Sequence, residues 1–101
     1  MKKIINGKMY NTETATEINF NQYSNRTDFS FWCETLYQKK TGEYFLHGEG
    51  GAQSKYGRKC GQNEWCGGET IIPMTESEAK QWAEDNLTAD EYIAAFGEPE
   101  E

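Results

Sequence analysis

The sequence predicts an α+β fold: an antiparallel sheet of about four to five short strands, a short N-terminal helix, and two C-terminal helices packed on one face. Two patterns in the sequence predict this fold. Apolar and polar residues alternate with a period of two through the middle of the chain, and the period becomes helical after residue 74. With 101 residues, we expect a single domain over residues 1–101.

The first quarter of the chain predicts a hairpin, then a helix, then a loop. Asn6–Gly7 separates two short extended runs, which is the strongest local signal for a two-residue hairpin turn. Thr14 and Glu17 have the spacing of a capping box, so a short helix is expected there. The polar run that follows, "NFNQYSNRTD", is rich in turn-forming residues and is expected to be a loop.

The middle of the chain predicts a second hairpin, over Phe29–His47. "DFSFWCETLYQ" alternates with large side chains on both faces, and "KKTG" turns it back into "EYFLHG". Lys39 and Lys40 at the tip are expected to be solvated. After a glycine-rich stretch, "ETIIP" predicts one more short strand, which Pro73 closes or places at an edge.

The last quarter predicts two helices, each opened by a capping box: Thr75 with Glu78, and Thr88 with Glu91. Gly97 is expected to end the second helix, and the acidic tail 97–101 to fray. The apolar positions of both helices recur at helical spacing, which favours a core role for their aromatic residues over ligand stacking. These positions are Ala79, Trp82 and Ala83 in the first helix and Ala89, Tyr92, Ile93 and Phe96 in the second.

Charge is distributed unevenly along the chain. The net charge is −7, but residues 76–101 carry nine carboxylates against Lys80 alone, and residues 1–75 are close to neutral. An acidic total disfavours direct binding of nucleic acid, because phosphate contacts need a positive surface. The acidic charge favours a basic partner protein. Alternatively, it contributes only to solubility. The carboxylates predicted to contact a partner are Glu76, Glu84, Asp85, Asp90 and Glu91.

The stretch "YFLHGEGGAQSKYGRKCGQNEWCGG", residues 44–68, is the least regular part of the sequence. It is basic at its centre, where Lys55, Tyr56, Arg58 and Lys59 lie close together. Cations and an aromatic ring on a glycine-rich loop suit contact with RNA or phosphate, and they suit pairing with the acidic helices of the chain itself equally well. Long loops in a compact domain are often functional, so these four residues are also predicted to bind a partner.

Three kinds of chemistry are conceivable for this stretch, and its residue pattern disfavours each of them. A phosphate-binding loop needs Lys followed by Ser or Thr at the start of a helix, whereas Ser54 precedes Lys55. A zinc site would draw on Cys33, His47, Cys60 and Cys66, but five residues separate the last two, too many for a zinc knuckle. A cysteine–histidine enzyme would pair His47 with one of the thiols and use Glu49 to orient it, and no pattern supports this. We therefore predict no catalytic, cofactor-binding or metal-binding residues.

Cysteine count and hydropathy favour a cytoplasmic protein with reduced thiols. The three cysteines are an odd number, and the apolar run near the start is only two residues long, too short for a signal peptide. No run approaches the roughly 20 apolar residues of a membrane span. A Cys60–Cys66 disulfide is conceivable, but it is not expected to persist in a reducing compartment.

Nearly the whole chain resembles small proteins carried on plasmids and integrative elements of Firmicutes. The resemblance rests on "KIINGKMYNTETATEI", "ETLYQKKTGEYFLHGEGGAQSKYG" and "GGETIIPMTESEAKQWAEDN". Some proteins of these elements are anti-CRISPR inhibitors of type II-A Cas9. The resemblance thus implies a counter-defence protein that binds Cas9, with or without guide RNA, and blocks guide or DNA loading. The alternative is an RNA- or partner-binding module that acts through the basic loop, residues 48–68.

Overall fold

A four-stranded antiparallel sheet forms the centre of the computed structural model, which describes residues 1–25 and 27–100. Two hairpins and two C-terminal helices accompany this sheet. The strands are β1 Lys2–Ile5, β2 Lys8–Asn11, β3 Thr16–Tyr23, β4 Trp32–Gln38, β5 Tyr44–Gly50, β6 Arg58–Gly61, β7 Glu64–Cys66 and β8 Gly68–Met74, and the helices are α1 Glu76–Asn86 and α2 Ala89–Phe96. The α+β class and the antiparallel pairing are confirmed, but the described residues form eight strands in three sheets instead of four to five strands.

The central sheet has the strand order β3-β4-β5-β8. The predicted hairpin in the middle of the chain is present as β4 and β5, with Leu36 opposite Leu46. Its first strand begins later than expected, at Trp32, because residues 27–30 form turns and bends in which the Asp28 carboxylate accepts from the Ser30 amide. β8 contains the predicted "ETIIP" strand and pairs with β5, so Pro73 lies on an edge strand.

The predicted N-terminal helix is wrong, and so is the loop expected after it. The Asn11 side chain accepts from the Glu13 amide, and the Ala15 amide donates to the Asn11 carbonyl, so residues 12–15 form a turn. β3 then starts at Thr16 and pairs with β4. Ile18, at a register shift in β3, packs against the core on the helix face, and a β-branched residue at each of positions 16 and 18 favours a strand. Tertiary pairing therefore outweighs a capping-box pattern that has no apolar helical stripe behind it.

Both C-terminal helices begin where the sequence predicts. Each has a reciprocal capping box, Thr75 with Glu78 and Thr88 with Glu91, and Gly97 caps the end of α2 with a positive φ of 86°. They pack on one face of the central sheet, as predicted. Trp82 is buried, and Tyr92 and Phe96 are half-buried against the same core. Ala89 and Ile93, predicted to lie on the apolar stripe, are exposed.

The two faces of the sheet carry separate cores. On the helix face, Leu36 and Leu46 pack against α1. On the opposite face, Phe45 and Ile71 pack with Tyr10 from the N-terminal hairpin. That hairpin, β1–β2, turns at Asn6–Gly7 as predicted, with both residues at positive φ. Lys39 was expected to be solvated, but its ammonium lies 4.3 Å from the Tyr10 ring centroid and covers this second core.

Candidate binding surfaces

Helix α1 presents an acidic surface because its buried apolar residues pack against the sheet. Ala79, Trp82 and Ala83 face inward, so the carboxylates of α1 are left on the solvent side. Within the described part of the chain, the carboxylates of Glu84, Asp85 and Asp90 form no ion pair. We call these three residues the acidic face. They place three exposed negative charges on α1 and α2.

Two of the predicted acidic contact residues have local partners. Glu76 lies 3.7 Å from Lys80 one turn later, so its charge is partly neutralised. One carboxylate oxygen of Glu91 accepts from the Thr88 amide at 2.9 Å and closes the capping box of α2. The hydrogen bonds with Thr88 lower the pKa of Glu91. Both side chains remain exposed, but Glu91 has a structural role that its position in the sequence already predicts.

The basic loop divides into an inward half and an outward half. Lys55 and Tyr56 turn back onto the sheet and meet Glu34 of β4: the Lys55 ammonium lies 2.8 Å from Oε2, and the Tyr56 hydroxyl donates to the same oxygen. The Lys55 ammonium also lies 4.4 Å from the centroid of the Trp32 ring. One cation of the loop, Lys55, therefore pairs within the chain, but with a carboxylate of the sheet and not with one of the helices.

Glu34 is the point at which the loop, the sheet and α1 meet. Its second oxygen, Oε1, accepts from the Trp82 indole N–H at 3.0 Å, and the residue is 5% exposed. Burial raises the pKa of Glu34, but hydrogen bonds from Lys55, Tyr56 and Trp82 lower it further than burial raises it. Burial and the hydrogen bond to Glu34 raise the pKa of Tyr56. Glu34 is thus held ionised and Tyr56 neutral across the ordinary pH range.

Two glycines of β5 make room for this arrangement. A Cβ atom at Gly48 would lie 2.1 Å from the Tyr56 ring, and one at Gly50 would lie 2.2 Å from the Ser54 hydroxyl oxygen. The strand can therefore carry the loop directly against its surface only because both positions lack a side chain. The glycines that superficially suggest a phosphate-binding loop serve close packing.

The outward half of the loop is the β6–β7 hairpin, where the other two predicted cations lie. Lys59 is directly opposite Trp65, and Arg58 is opposite Cys66, so the two cations point to different faces of the hairpin. Both are exposed. Of the four predicted basic contact residues, Arg58 and Lys59 are exposed on this hairpin, Tyr56 is half-buried, and Lys55 is exposed but paired with Glu34.

The hairpin is closed by a disulfide, which corrects the expectation of free thiols. Cys60 and Cys66 are bonded, with their Cα atoms 5.8 Å apart, and the third cysteine, Cys33, lies in β4. The expected loop is instead two short antiparallel strands joined by a tight turn with Asn63 at positive φ. The spacing of the two cysteines, five intervening residues, spans this turn. Strand pairing across the turn brings the thiols together, and the sequence alone did not establish that pairing.

Three of the residues considered for a zinc site or a cysteine–histidine enzyme contact other partners in the structure: Cys60, Cys66 and His47. Cys60 and Cys66 are taken by the disulfide. The His47 imidazole contacts Glu69 of β8 at 3.0 Å, whereas the sequence suggested Glu49 as its partner. Among residues 1–25 and 27–100, no group of three His, Cys, Asp or Glu side chains is arranged to hold a metal ion.

Sequence reasoning missed Phe29 and Trp65 as exposed rings and Glu34 as a buried acid. Glu34 alternates with Trp32 and Leu36 along β4, and a lone carboxylate between large apolar side chains is a usable signal for a buried, satisfied acid. Phe29 was assigned to a strand, which concealed its exposure. Trp65 carried no signal, because a single aromatic residue in a glycine-rich stretch fits a core position equally well.

Comparisons with known proteins leave the resemblance to mobile-element proteins as a prediction. In the part of the chain that the structure describes, no helix has the length and apolar character needed to cross a membrane. No protein-family model matches the chain, and no curated protein or solved structure is detectably similar to it.

Proposed function

We propose that this chain is a binding protein that inhibits a nucleic-acid-guided effector, type II-A Cas9, through the acidic face of its C-terminal helices. The observation that supports the proposal is the exposure of Glu84, Asp85 and Asp90 without a compensating cation among the described residues. Cas9 holds its guide RNA and target DNA in positively charged channels. An acidic surface on a folded domain can enter such a channel and compete with the phosphate backbone.

The choice of Cas9 as the partner rests on the resemblance to mobile-element proteins, and the choice of surface rests on charge. Inhibition by occupancy needs a rigid surface, and the Glu34–Trp82 hydrogen bond fixes α1 on the sheet. The proposed activity is binding and requires no catalytic group. It would take place in the bacterial cytoplasm, where Cas9 encounters guide and target. The acidic face lies on α1 and α2, so this activity does not require the Cys60–Cys66 disulfide of the β6–β7 hairpin.

The test is a pull-down of Cas9, with and without guide RNA, combined with a DNA-cleavage assay. The variant is Glu84→Gln, Asp85→Asn and Asp90→Asn together. Binding should weaken about tenfold, since three exposed charges are lost at about 0.5 kcal/mol each. The weakening should shrink as salt is added, because exposed charges are screened.

The matched control is Glu13→Gln, Glu17→Gln and Glu64→Gln, which removes three exposed carboxylates from elsewhere on the chain. It should bind like the unaltered protein. Equal loss in both triple variants would show that net charge matters and the acidic face does not. No binding to either form of Cas9, together with no protection of target DNA, would refute the proposal.

A further inference from the structure

An exposed aromatic groove lies between the β6–β7 hairpin and the segment before β4. Phe29 is 69% exposed and Trp65 is 62% exposed, the largest values among the exposed aromatic residues of the described chain. Both rings line one groove of about 540 Å³, together with Ala52, Gln53 and Ser54. Large rings left in water cost free energy, so two of them on one groove indicate a ligand that covers them.

The backbone on both sides of the groove is held in place although the rings are exposed. On one side, the Phe29 carbonyl accepts from the Gln53 amide at 2.8 Å, and a Cβ atom at Gly51 would lie 2.5 Å from that carbonyl oxygen. On the other side, the Cys60–Cys66 disulfide closes the short hairpin that carries Trp65. The rings are therefore presented on fixed supports, which reduces the entropy lost when a ligand binds.

Charge around the groove indicates the class of ligand. None of the five residues that line it is a carboxylate, although the protein as a whole is acidic. Lys59 lies directly opposite Trp65, on the same face of the hairpin. Gln53 is exposed and offers an amide that can both donate and accept. Two rings, an amide and a cation are the groups that bind an unpaired base and the phosphate beside it.

We propose that Phe29 and Trp65 form a stacking site for an unpaired base of single-stranded nucleic acid, with Lys59 contacting a neighbouring phosphate. Stacking is tolerant of sequence because every base has a π face, so the site selects unpaired strands over duplex and not one base over another. The acidic helices repel phosphate, so the nucleic acid contacts the protein only near the groove and few of its phosphates are neutralised. The site is distinct from the acidic face and does not depend on Cas9 as the partner.

The experiment titrates the intact, oxidised protein with a fluorescein-labelled oligothymidylate, an oligouridylate and a duplex of the same length. We expect both single strands to bind and the duplex to bind at least tenfold more weakly. Phe29→Ala and Trp65→Ala should each weaken single-strand binding about tenfold, since each removes one stacked ring. Trp65→Phe, which keeps a ring, should recover part of that loss.

The control for ring removal is Phe20→Ala, which deletes an exposed ring on β3, and it should leave binding unchanged. For Lys59→Gln we expect the slope of log affinity against log salt to fall by about one, and Lys40→Gln at the β4–β5 turn should not change it. A second titration after reduction of Cys60–Cys66 should show weaker binding, because the hairpin loses its covalent closure.

Four outcomes overturn the proposal. They are undetectable single-strand binding, equal binding of the duplex, unchanged binding in both ring variants, and displacement of the oligonucleotide by an acidic peptide at lower concentration than by unlabelled oligonucleotide. The last would assign the groove to a protein partner. No Cas9 is present in these titrations. The stacking site can therefore be refuted while the proposed inhibition of Cas9 stands, and the inhibition can be refuted while the stacking site stands.

Discussion

The Trp82 indole N–H donates to the Glu34 carboxylate at 3.0 Å, and this hydrogen bond joins α1 to the centre of the sheet. Because the other Glu34 oxygen binds Lys55 and Tyr56, the same carboxylate also fixes the loop after β5. A single buried acid thus sets the relative position of the helices that carry the acidic face and the loop that leads to the aromatic groove.

Glu34→Gln should destabilise the protein by about 3 kcal/mol, because it removes the charge that a cation and two further donors share in a buried site. The replacement amide can accept at one oxygen only and places donors against donors. Urea unfolding followed by far-UV circular dichroism measures the loss. Glu84→Gln, on the exposed side of α1, is the control and should change stability by less than about 0.5 kcal/mol. Similar stability in the two variants would contradict the structural role of Glu34.

Gly48→Ala should destabilise the protein by about 1–3 kcal/mol, the usual range for overpacking. The new methyl group would meet the Tyr56 ring and push the loop off the sheet. Gly61→Ala is a suitable control, since its Cβ would approach only the end of the flexible Glu64 side chain, at 3.0 Å. Thermal unfolding of the two variants compares them directly, and a Gly48→Ala protein as stable as the unaltered one would contradict the packing of Tyr56 against β5.

The Tyr56 hydroxyl should ionise at a higher pH than an ordinary tyrosine, because burial and the hydrogen bond to Glu34 raise its pKa above the usual 10.0. Its contribution to stability is full below pH 10.0 and is lost as the pH rises through the folded-state pKa. In an alkaline titration of tyrosinate absorbance, Tyr56→Phe should remove the component that ionises last. If the variant instead loses a component near pH 10.0, Tyr56 does not occupy this site.

Glu34 should make the protein sensitive to acid. Its pKa is lower when folded than its usual value of 4.5, because the bonds from Lys55, Tyr56 and Trp82 outweigh burial. Its stabilising contribution is therefore present above pH 4.5 and is lost as the pH falls through the lowered pKa. The free energy of unfolding, measured from pH 7 downward, should fall more steeply in the unaltered protein than in Glu34→Gln. Parallel curves would show that Glu34 is not the responsible group.

Thr88→Ala should destabilise the protein by about 1 kcal/mol, since it removes the side chain that accepts from the Glu91 amide. Thr14→Ala provides an informative comparison, because Thr14 and Glu17 have the same spacing without forming a helix. Its hydroxyl makes only a long bond, 3.4 Å, to the Asn11 carbonyl, so little change is expected. Helix content by circular dichroism should fall in the first variant alone. An equal loss in both would favour a helix at residues 14–17.

What the sequence determined by itself was local. The Asn6–Gly7 turn, the two capping boxes and the Gly97 stop depend on backbone preferences within a few residues, and all four were predicted correctly. The β4–β5 hairpin followed from a period of two and a short turn. In each case the signal and the structure lie in the same short segment, so no knowledge of distant contacts was needed.

Tertiary structure decided everything that joins distant segments. Residues 16–23 became a strand because β4 offered an edge to pair with, which overrode a local helix signal. Lys55 and Tyr56 contact the sheet because a carboxylate 21 and 22 residues away along the chain, Glu34, became buried beneath them. Phe29 and Trp65 came to share one groove because the glycines of β5 allow the loop to fold flat. Contacts of this kind depend on which side chains become buried together, and that is a property of the packed fold, absent from any single segment.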